Sequence, residues 1–223
     1  MIELYKPVVN LDSYTKKDDK NLQELIAYYA RVSNPDNQHN NETSEKLLRY
    51  LLKHKHWSPF EMVNVCMEIT TTRDIAKQIL RHRSFSFQEF SLRYSTASLG
   101  FCYREPRLQD IKNRQNSIEL THNNRDMEVK TRFIREQQDL IKTAYRKYHN
   151  ALTVDGIARE QARSMLPEGN TYTKLYMNGT IRSWIHYISE RTKKETQKEH
   201  RMVAVECARE LYKVFPLIEE FVE

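Results

Sequence analysis

The feature of this sequence that most constrains its fold is the alternation of apolar and polar side chains over residues 63–70. The apolar positions are Val63, Val65, Met67 and Ile69, and the polar positions between them include Asn64, Glu68 and Thr70. A period of two residues is typical of a β-strand with one buried face and one exposed face. This run is the clearest strand in the sequence, and it predicts that the fold contains a β-sheet.

Most of the remaining sequence has the spacing of amphipathic helices. Apolar side chains recur at intervals of three and four residues, which places them on one face of a helix. The predicted helices cover residues 21–32, 44–54, 72–83, 126–152, 155–166 and 196–215, and one more begins after Thr180. The expected N-caps are Asn21, Thr72, Asp155 and Thr180. The sequence therefore predicts a helix-rich protein.

The segments between these helices are predicted to be strands, turns or loops. Residues 2–11 are expected to form an opening strand, and residues 172–176 a strand between two turns. Residues 84–90 are expected to form a loop, and residues 91–95 an extended segment. Residues 104–125 are polar and have no period, which indicates a surface excursion or an irregular helix.

Composition narrows the class of protein. The 223 residues predict a single domain spanning residues 1–223, and no run approaches the ~20 apolar residues that a membrane span needs. The first residues have no signal-peptide pattern, so we expect a cytoplasmic location and no membrane partner. The net charge of +6 favours anionic partners. With only 4 glycines, the chain has neither a glycine-rich phosphate loop nor a dinucleotide fingerprint.

No metal site is expected. Cys66, Cys102 and Cys207 are far apart and lack the spacing of metal ligands, so we expect structural thiols at all three positions. His54 and His56 lie two residues apart in a predicted turn, and no His-Glu-x-x-His or comparable metal-binding cluster occurs. The sequence therefore favours a function that does not depend on a bound metal.

Residues 78–95 carry the strongest functional signal. This segment combines three arginines with one histidine, one carboxylate, four serines and two glutamines. Guanidinium groups suit phosphate, while hydroxyls and amides can bind a planar polar ring. Consecutive helical residues point about 100° apart, so Arg81, His82 and Arg83 can converge on one ligand only at the end of a helix. The segment predicts a site for a phosphorylated ligand.

Arginines recur in later segments that are predicted to be helical. Arg159 and Arg163 are four residues apart and share a helix face, as do Arg182 and His186. Arg191 lies about half a turn away from the face of Arg182 if that helix stays regular. Either the helix ends before Arg191, or the two groups serve different ligands or subunits.

Several motifs resemble those of the flavin-dependent thymidylate synthases. The signature is Arg81-His82-Arg83, followed by seven residues and the extension Ser91-x-Arg93-Tyr94-Ser95. Further matches, in family order, are Ala30-Arg31-Val32-Ser33, His56-x-Ser58-Pro59-Phe60-Glu61, Ala162-Arg163-x-x-Leu166-Pro167, Arg182-Ser183 with Arg191, and Gln197-x-Glu199. The resemblance covers roughly residues 25 to 215, which is nearly the whole chain.

The resemblance implies a mixed α/β fold with a central antiparallel or mixed sheet flanked by helices and a helix-rich carboxy-terminal half. It also implies a homotetramer that binds FAD at its subunit interfaces. The implied reaction converts dUMP to dTMP. Methylenetetrahydrofolate would donate the carbon, FAD reduced by NADPH would supply the hydride, and no enzyme cysteine would attack the uracil ring.

The resemblance also implies site residues, position by position. Those expected to contact FAD are Ser58, Arg81, His82, Arg83, Glu89, Thr180, Arg182 and His186. Those expected to hold dUMP are Gln78, Arg81, Glu89, Ser91, Arg93, Arg163 and Arg191. Arg191 would polarise the uracil ring, Ser91 would position it, and His56 would assist folate or flavin chemistry.

Two other functions remain open from the sequence. A basic nucleic-acid-binding module would use the charge of +6 and the 13 tyrosines, which can stack on bases. The basic residues are interleaved with acidic ones, so nucleic acid is not an expected partner. A flavoprotein of the same fold that has lost catalysis is the third hypothesis.

Overall fold

The structure is a computed structural model that describes residues 2–223. Its strands are β1 (Glu3–Leu4), β2 (Val8–Tyr14), β3 (Asn64–Thr72), β4 (Ser86–Glu89), β5 (Cys102–Tyr103), β6 (Arg107–Gln109), β7 (Ser117–Glu119) and β8 (Tyr172–Thr180). Its α-helices are α1 (Leu22–Ala30), α2 (Ser44–Lys53), α3 (Arg73–Ile79), α4 (Asn124–Thr153), α5 (Arg159–Ala162), α6 (Ile181–Arg191) and α7 (Lys198–Tyr212).

The central sheet has the strand order β2-β3-β8-β4, and every neighbouring pair in it is antiparallel. Strand β3 lies inside this sheet and pairs along its whole length with β8, from Asn64 opposite Thr180 to Thr72 opposite Tyr172. The alternation in the sequence correctly predicted this strand, because Val65, Met67 and Ile69 are fully buried. A mixed α/β fold with an antiparallel sheet is therefore confirmed.

Helices α3, α6 and α7 contact the central sheet, and α1 packs against α2 and joins the same hydrophobic cluster. Helix α6 begins where β8 ends, and Thr180 caps it by accepting a hydrogen bond from the Ser183 amide at 3.2 Å. Asn21 caps α1 in the same way and completes a capping box with Glu24. Trp184 of α6 is fully buried and donates its indole N–H to the carbonyl oxygen of Val65 at 3.0 Å, which ties the helix to the sheet.

Gly179 is required by the contact between β8 and the segment after α3. A Cβ atom at this position would lie 2.4 Å from the Phe85 ring, so any side chain would displace that ring. Phe85 in turn packs edge-on against Trp184, with ring centroids 4.9 Å apart. The glycine therefore lets the Arg-His-Arg segment lie directly against the core.

Two predictions around residues 84–95 were wrong. Residues 84–90 do not form a loop, because strand β4 pairs with β8 and places Phe87 opposite Met177. Residues 91–95 form a turn and not an extended segment, since the amides of Tyr94 and Ser95 both donate to the carbonyl oxygen of Ser91. The chain thus continues from α3 into the edge strand of the sheet and then turns away from it.

Other boundaries also differ from the prediction. Residues 2–11 contain two separate strands, and β8 is longer than residues 172–176. The helix predicted over residues 155–166 begins only at α5, with Ala158 and not Asp155 at its N-cap, and a 3₁₀ turn over Arg163–Met165 ends it. Of the two alternatives for residues 104–125, the irregular helix is wrong and the surface excursion agrees with the structure, because the segment contains a largely exposed hairpin of β6 and β7.

The hydrophobic interior consists of two clusters. The larger one lies between the sheet and helices α1, α2, α6 and α7. The smaller one joins Leu92 to Tyr148 and Ala151 of α4 and to Ala162 and Leu166 near α5. Among the helices formed by residues 2–223, none has the length and apolar character that a bilayer crossing requires.

Candidate functional site

The end of α3 presents the Arg-His-Arg motif. The helix ends at Ile79, and the Arg81 and His82 amides continue it for one turn by donating to the carbonyl oxygens of Gln78 and Ile79. Arg81 and Arg83 are exposed, whereas His82 is half-buried between them. The prediction that this motif lies at a helix end is confirmed, and the side chains diverge toward solvent and toward α6.

His82, the central residue of the Arg-His-Arg motif, contacts Arg191 at the end of α6. The Nε atom of Arg191 donates to Nε2 of His82 at 3.0 Å. Burial, followed by the charge of Arg191 and the proximity of His186, lowers the pKa of His82 to about 4. His82 is therefore uncharged near neutral pH, and Arg191 carries the positive charge of the pair.

Helix α6 continues without a break to Arg191, so the alternative that it ends earlier is wrong. Arg182 and His186 face a different cleft from Arg191. This cleft has a volume of about 430 Å³ and is lined by Trp57, Ser84, Arg182, Ser183, Ile185, His186, Ser189 and Phe221. Arg182 is paired there with Glu61 at 2.6 Å. One helix thus presents cations to two separate surfaces.

Gln78 is the centre of a hydrogen-bonded group beside the His82–Arg191 pair. Its amide nitrogen donates to Oε1 of Gln197 at 2.9 Å, and its oxygen lies 3.2 Å from Nδ1 of His200. The other ring nitrogen of His200 lies 3.2 Å from the Tyr187 hydroxyl. His200 is almost fully buried, and burial, followed by the charge of Arg191 and the proximity of His82, lowers its pKa to about 3. His200 is therefore also uncharged near neutral pH.

Two of the remaining predicted dUMP residues, Arg93 and Arg163, border two adjoining cavities. The larger one, about 840 Å³, lies between the turn after Ser91 and the carboxy-terminal part of α4, and Arg93, Arg159 and Glu160 border it. The smaller one, about 560 Å³, is lined by Arg73, Lys77, Leu92, Glu160, Arg163, Ser164, Leu166 and Glu168. Glu160 borders both cavities, so Arg93 and Arg163 reach neighbouring spaces.

Glu89 and Ser91 line neither cavity, but they lie beside residues that line the smaller one, Arg73 and Leu92. Glu89 lies at the end of β4, where Oε1 accepts a hydrogen bond from the Thr173 hydroxyl at 3.0 Å. Arg73 lies 3.9 Å from the same carboxylate. The Ser91 hydroxyl accepts from the Arg93 amide at 3.2 Å, which stabilises the turn. Both side chains are therefore positioned by the protein before any ligand binds.

Four arginines of the predicted site have no carboxylate partner. Within residues 2–223, ion pairs form at many exposed arginines and lysines, but none involves Arg81, Arg83, Arg163 or Arg191. A guanidinium without an internal anion keeps its charge available for a bound one. This arrangement suits a phosphorylated ligand.

Three further predicted residues have local structural contacts. His56 is exposed beside Tyr50 and His54, with ring centroids about 6.3 and 6.1 Å away. Ser58 begins a 3₁₀ turn ahead of β3. Thr180 uses its hydroxyl as the cap of α6. Their roles toward cofactor or substrate remain predictions.

Three residues near the predicted site, Arg73, Lys77 and His200, were not predicted from the sequence. Arg73 and Lys77 line the smaller cavity from α3, and their spacing of four residues could have indicated a shared face. His200 contacts Gln78 from α7, which no local pattern in the sequence indicates, because the two are 122 residues apart. No group of three or more potential metal ligands occurs in the described part of the chain, residues 2–223.

Comparison with known proteins identifies the family. The family model described as thymidylate synthase complementing protein matches residues 11–217. A flavin-dependent thymidylate synthase from Synechocystis is 49% identical over 97% of this chain and 95% of its own length. A probable flavin-dependent thymidylate synthase of Paramecium bursaria Chlorella virus 1 is 45% identical over 98% of this chain and 95% of its own length.

A solved structure supports the same assignment. The UMP/dUMP methylase PolB from Streptomyces cacaoi, bound with 5-Br dUMP, superposes with a TM-score of 0.81 and 26% identity, covering 98% of this chain and 96% of that chain. The match to the family model covers the Arg-His-Arg motif, strands β3, β4 and β8 of the sheet, and helices α6 and α7. This chain belongs to the flavin-dependent thymidylate synthase family.

Proposed function

We propose that this protein is a methyltransferase that converts dUMP to dTMP, with methylenetetrahydrofolate as the carbon donor. FAD is the cofactor, and when bound it supplies the hydride that it receives from NADPH. Family membership supports this reaction, and the observation that carries the site assignment is the contact between Arg191 and uncharged His82. The residue roles below rest on the geometry of the single chain.

Arg191 acts on the pyrimidine ring of dUMP. Its guanidinium has no carboxylate partner in residues 2–223, and it donates to a neutral imidazole instead. A permanent positive charge in a half-buried site stabilises negative charge that develops on a carbonyl oxygen or a ring nitrogen. Arg191 therefore polarises the uracil, because its partner His82 accepts a hydrogen bond without adding a negative charge that would offset the guanidinium.

The phosphate of dUMP binds near Arg163 and Arg93. Arg163 is half-buried in the cavity that it shares with Arg73 and Lys77, and only a backbone oxygen accepts from its Nε atom. Guanidinium groups bind phosphate through two parallel hydrogen bonds. Glu89 at the end of β4 and Ser91 in the turn that follows are fixed by hydrogen bonds, so these side chains can position the nucleoside.

The residues of the α6 cleft fit a flavin. Trp57, Ile185 and Phe221 give the cleft apolar walls, while Arg182 and His186 give it hydrogen-bond donors. Arg81 and Arg83 are exposed cations without carboxylate partners, which suits the pyrophosphate of FAD. These residues would hold the cofactor, together with Ser58, His82, Glu89 and Thr180.

A cysteine nucleophile is not used in this proposal. Burial raises the pKa of Cys66, raises that of Cys102 to about 11, and raises that of Cys207 well above its usual value. A thiol with a raised pKa stays protonated at neutral pH and is a weak nucleophile. Attack on the pyrimidine by an enzyme thiolate is therefore disfavoured at all three positions.

The protein is proposed to work as a homotetramer, with one domain spanning residues 1–223 in each subunit and a cytoplasmic location. The predicted site residues of one chain lie on the α6 cleft, at the end of α3 and around the two cavities near α5. A second subunit that covers these surfaces would bring the separate groups into one enclosed site. Folate and NADPH would then bind in turn, and His56 would assist there.

The proposal is tested with purified protein, FAD, NADPH, methylenetetrahydrofolate and dUMP labelled with tritium at C5. Tritium release and dTMP formation are expected, and each should require FAD. UMP serves as a second substrate, because the PolB relative is described as a UMP/dUMP methylase. Failure to bind FAD, or FAD binding without dTMP formation, would contradict the proposed function.

A further inference from the structure

A continuous chain of polar side chains links the β6–β7 hairpin to the end of α3. Arg107 of β6 donates to both carboxylate oxygens of Glu199, at 2.8 and 2.9 Å. The amide nitrogen of Gln197 donates to Oε2 of the same carboxylate at 3.0 Å. Gln197 then contacts Gln78 at 2.9 Å, and Gln78 contacts His200 at 3.2 Å. Residues far apart in the sequence are thereby joined in one row.

The carboxylate at one end determines the direction of every hydrogen bond in this row. Glu199 is buried, and although burial alone raises a carboxyl pKa, the hydrogen bonds from Arg107 and Gln197 lower the pKa of Glu199 to about 2. An ionised carboxylate only accepts hydrogen bonds. Gln197 must therefore turn its NH₂ group toward Glu199 and its oxygen toward Gln78.

The same reasoning extends to the other end of the row. Because the oxygen of Gln197 accepts, Gln78 must turn its own NH₂ group toward Gln197 and its oxygen toward His200. The Nδ1 atom of His200 must then carry a proton, since a hydrogen bond to an amide oxygen needs a donor. In the neutral ring Nε2 is then unprotonated and accepts from the Tyr187 hydroxyl.

We propose that Arg107, Glu199 and Gln197 are positioning residues that fix the amide of Gln78 in a single orientation, with His200 held in its Nδ1–H form. The inference rests on the proposed function for the role of Gln78 toward dUMP. In this orientation one N–H of Gln78 is used by Gln197, and the second remains for a ligand acceptor such as a pyrimidine carbonyl or a phosphate oxygen. A reversed amide would present its oxygen toward Gln197 and lose this arrangement.

Residues 104–125 carry no motif of the family, but their β6–β7 hairpin supplies Arg107, which binds Glu199 at one end of the row. Arg107 is largely buried by its contact with Glu199, and its Nε also donates to Ser117 of β7 at 2.9 Å. A second pair, Lys198 with Glu119 at 2.7 Å, holds the hairpin against α7 without touching the row. The Lys198–Glu119 pair therefore holds the hairpin against α7, whereas the Arg107–Glu199 pair also takes part in the orientation of Gln78.

The first test is the tautomer of His200 in the FAD-loaded wild-type protein. Nitrogen-15 NMR of ring-labelled histidine distinguishes Nδ1–H, Nε2–H and the imidazolium, and the His200 signal is assigned by its loss in His200→Gln. The Nδ1–H form alone is expected at neutral pH. The Nε2–H form or the imidazolium would overturn the proposal, and this result depends on no other variant.

The second test is Gln197→Met, which removes the link but keeps the Arg107–Glu199 pair and a side chain of similar size. Gln78 is then free to reverse, so both neutral tautomers of His200 are expected. The KM for dUMP should rise about 3- to 10-fold with little change in kcat, which is the range for one neutral hydrogen bond. Retention of pure Nδ1–H, or an unchanged KM, would overturn the proposal.

Gln115→Met is the matched control. Gln115 is an exposed glutamine of the hairpin loop that lines the same small cavity as Gln197, and its side chain takes no part in the row. Wild-type tautomer and KM are expected. If the wild-type protein makes no dTMP, the proposed function fails while the tautomer still tests the row; if it makes dTMP but His200 has the wrong tautomer, only the row fails.

Discussion

Two groups of arginines in this protein differ in what satisfies their charge. Arg107 and its neighbour Arg104 are largely buried and bind internal carboxylates, at 2.8 Å to Glu199 and 2.7 Å to Asp74. Arg163 and Arg191 are half-buried but have no carboxylate partner in residues 2–223. The first group is neutralised by the fold, whereas the second keeps a charge that we propose is used by a ligand.

The difference shows that residue type alone does not identify a ligand-binding arginine. A buried guanidinium that is fully paired contributes to the fold, and removing its partner leaves an uncompensated charge. A guanidinium beside a neutral imidazole, as in the Arg191–His82 contact, keeps its positive charge, and we propose that this charge acts on the substrate. Substitution of a paired arginine should therefore mainly lower the free energy of unfolding, whereas substitution of an unpaired one should mainly lower activity.

Arg107→Ala is expected to give the largest change in stability. Glu199 would remain buried without its partner, and breaking one half of a buried ion pair costs about 3–5 kcal/mol in the free energy of unfolding. Urea denaturation at fixed protein concentration measures this change. As a control, Arg49→Ala removes an exposed arginine paired with Glu45, and should cost at most about 1 kcal/mol. Equal losses in the two variants would contradict the distinction.

Arg191→Ala is expected to give the largest change in activity. Removing one group that stabilises developing charge lowers turnover by about 10²–10³-fold, and the free energy of unfolding should change little by comparison. Tritium release from labelled dUMP measures the turnover. The matched control is Arg209→Ala, because Arg209 is an exposed helical arginine paired with Glu206. Wild-type turnover in Arg191→Ala would remove Arg191 from its assigned role.

Arg163→Ala tests whether an unpaired arginine binds phosphate. Loss of a charged hydrogen bond should raise the KM for dUMP about 10- to 100-fold while kcat is largely retained. Deoxyuridine, which has no phosphate, provides the internal comparison, since its weak binding should be the same in both proteins. A similar loss for deoxyuridine would show that Arg163 acts on the nucleoside or on the fold.

The two uncharged histidines, His82 and His200, should make the free energy of unfolding depend on pH. The pKa of His82 is lowered from 6.5 to about 4, and that of His200 from 6.5 to about 3. The unfolded chain therefore binds protons first, so stability is complete above about pH 6.5 and falls as the pH is lowered toward 4. Each histidine contributes a slope of at most about 1.4 kcal/mol per pH unit.

His200→Gln checks the contribution of one of these groups. Its unfolding free energy should depend less steeply on pH between 6.5 and 4 than that of the wild type, as measured by urea denaturation across that range. His39→Gln is the control, because His39 is exposed. Identical slopes in the wild type and His200→Gln would show that His200 is not held in its neutral form.

Local patterns in the sequence predicted much of the fold. The alternation over residues 63–70 gave β3, and the caps Asn21 and Thr180 gave the starts of α1 and α6. Strand β4 was missed, although Phe85 and Phe87 alternate with Ser86 and Gln88. The density of polar groups obscured that period, and the partner of β4 in the sheet, β8, lies about 90 residues further along the chain.

The positions of the candidate site residues were predictable from the sequence where those residues belong to a motif. They were not predictable where they depend on contacts between distant parts of the chain. The position of the Arg-His-Arg motif at a helix end followed from the sequence, and separate faces for Arg182 and Arg191 were one of the two alternatives that it left open. The Arg107–Glu199 pair joins residues 92 positions apart, and Arg107 lies in a segment without a period or motif. Such a contact becomes visible only when the chain has folded.

The most direct test of the account is a visible absorption spectrum of the purified protein as dUMP is added. The unpaired arginines and the α6 cleft predict that the protein binds FAD, and that dUMP perturbs the flavin bands to saturation in the wild type. In Arg191→Ala the flavin should still bind, with a weakened response to dUMP. A protein that takes up no flavin, or a flavin spectrum that does not respond to dUMP, would contradict the assignment of these arginines to the site.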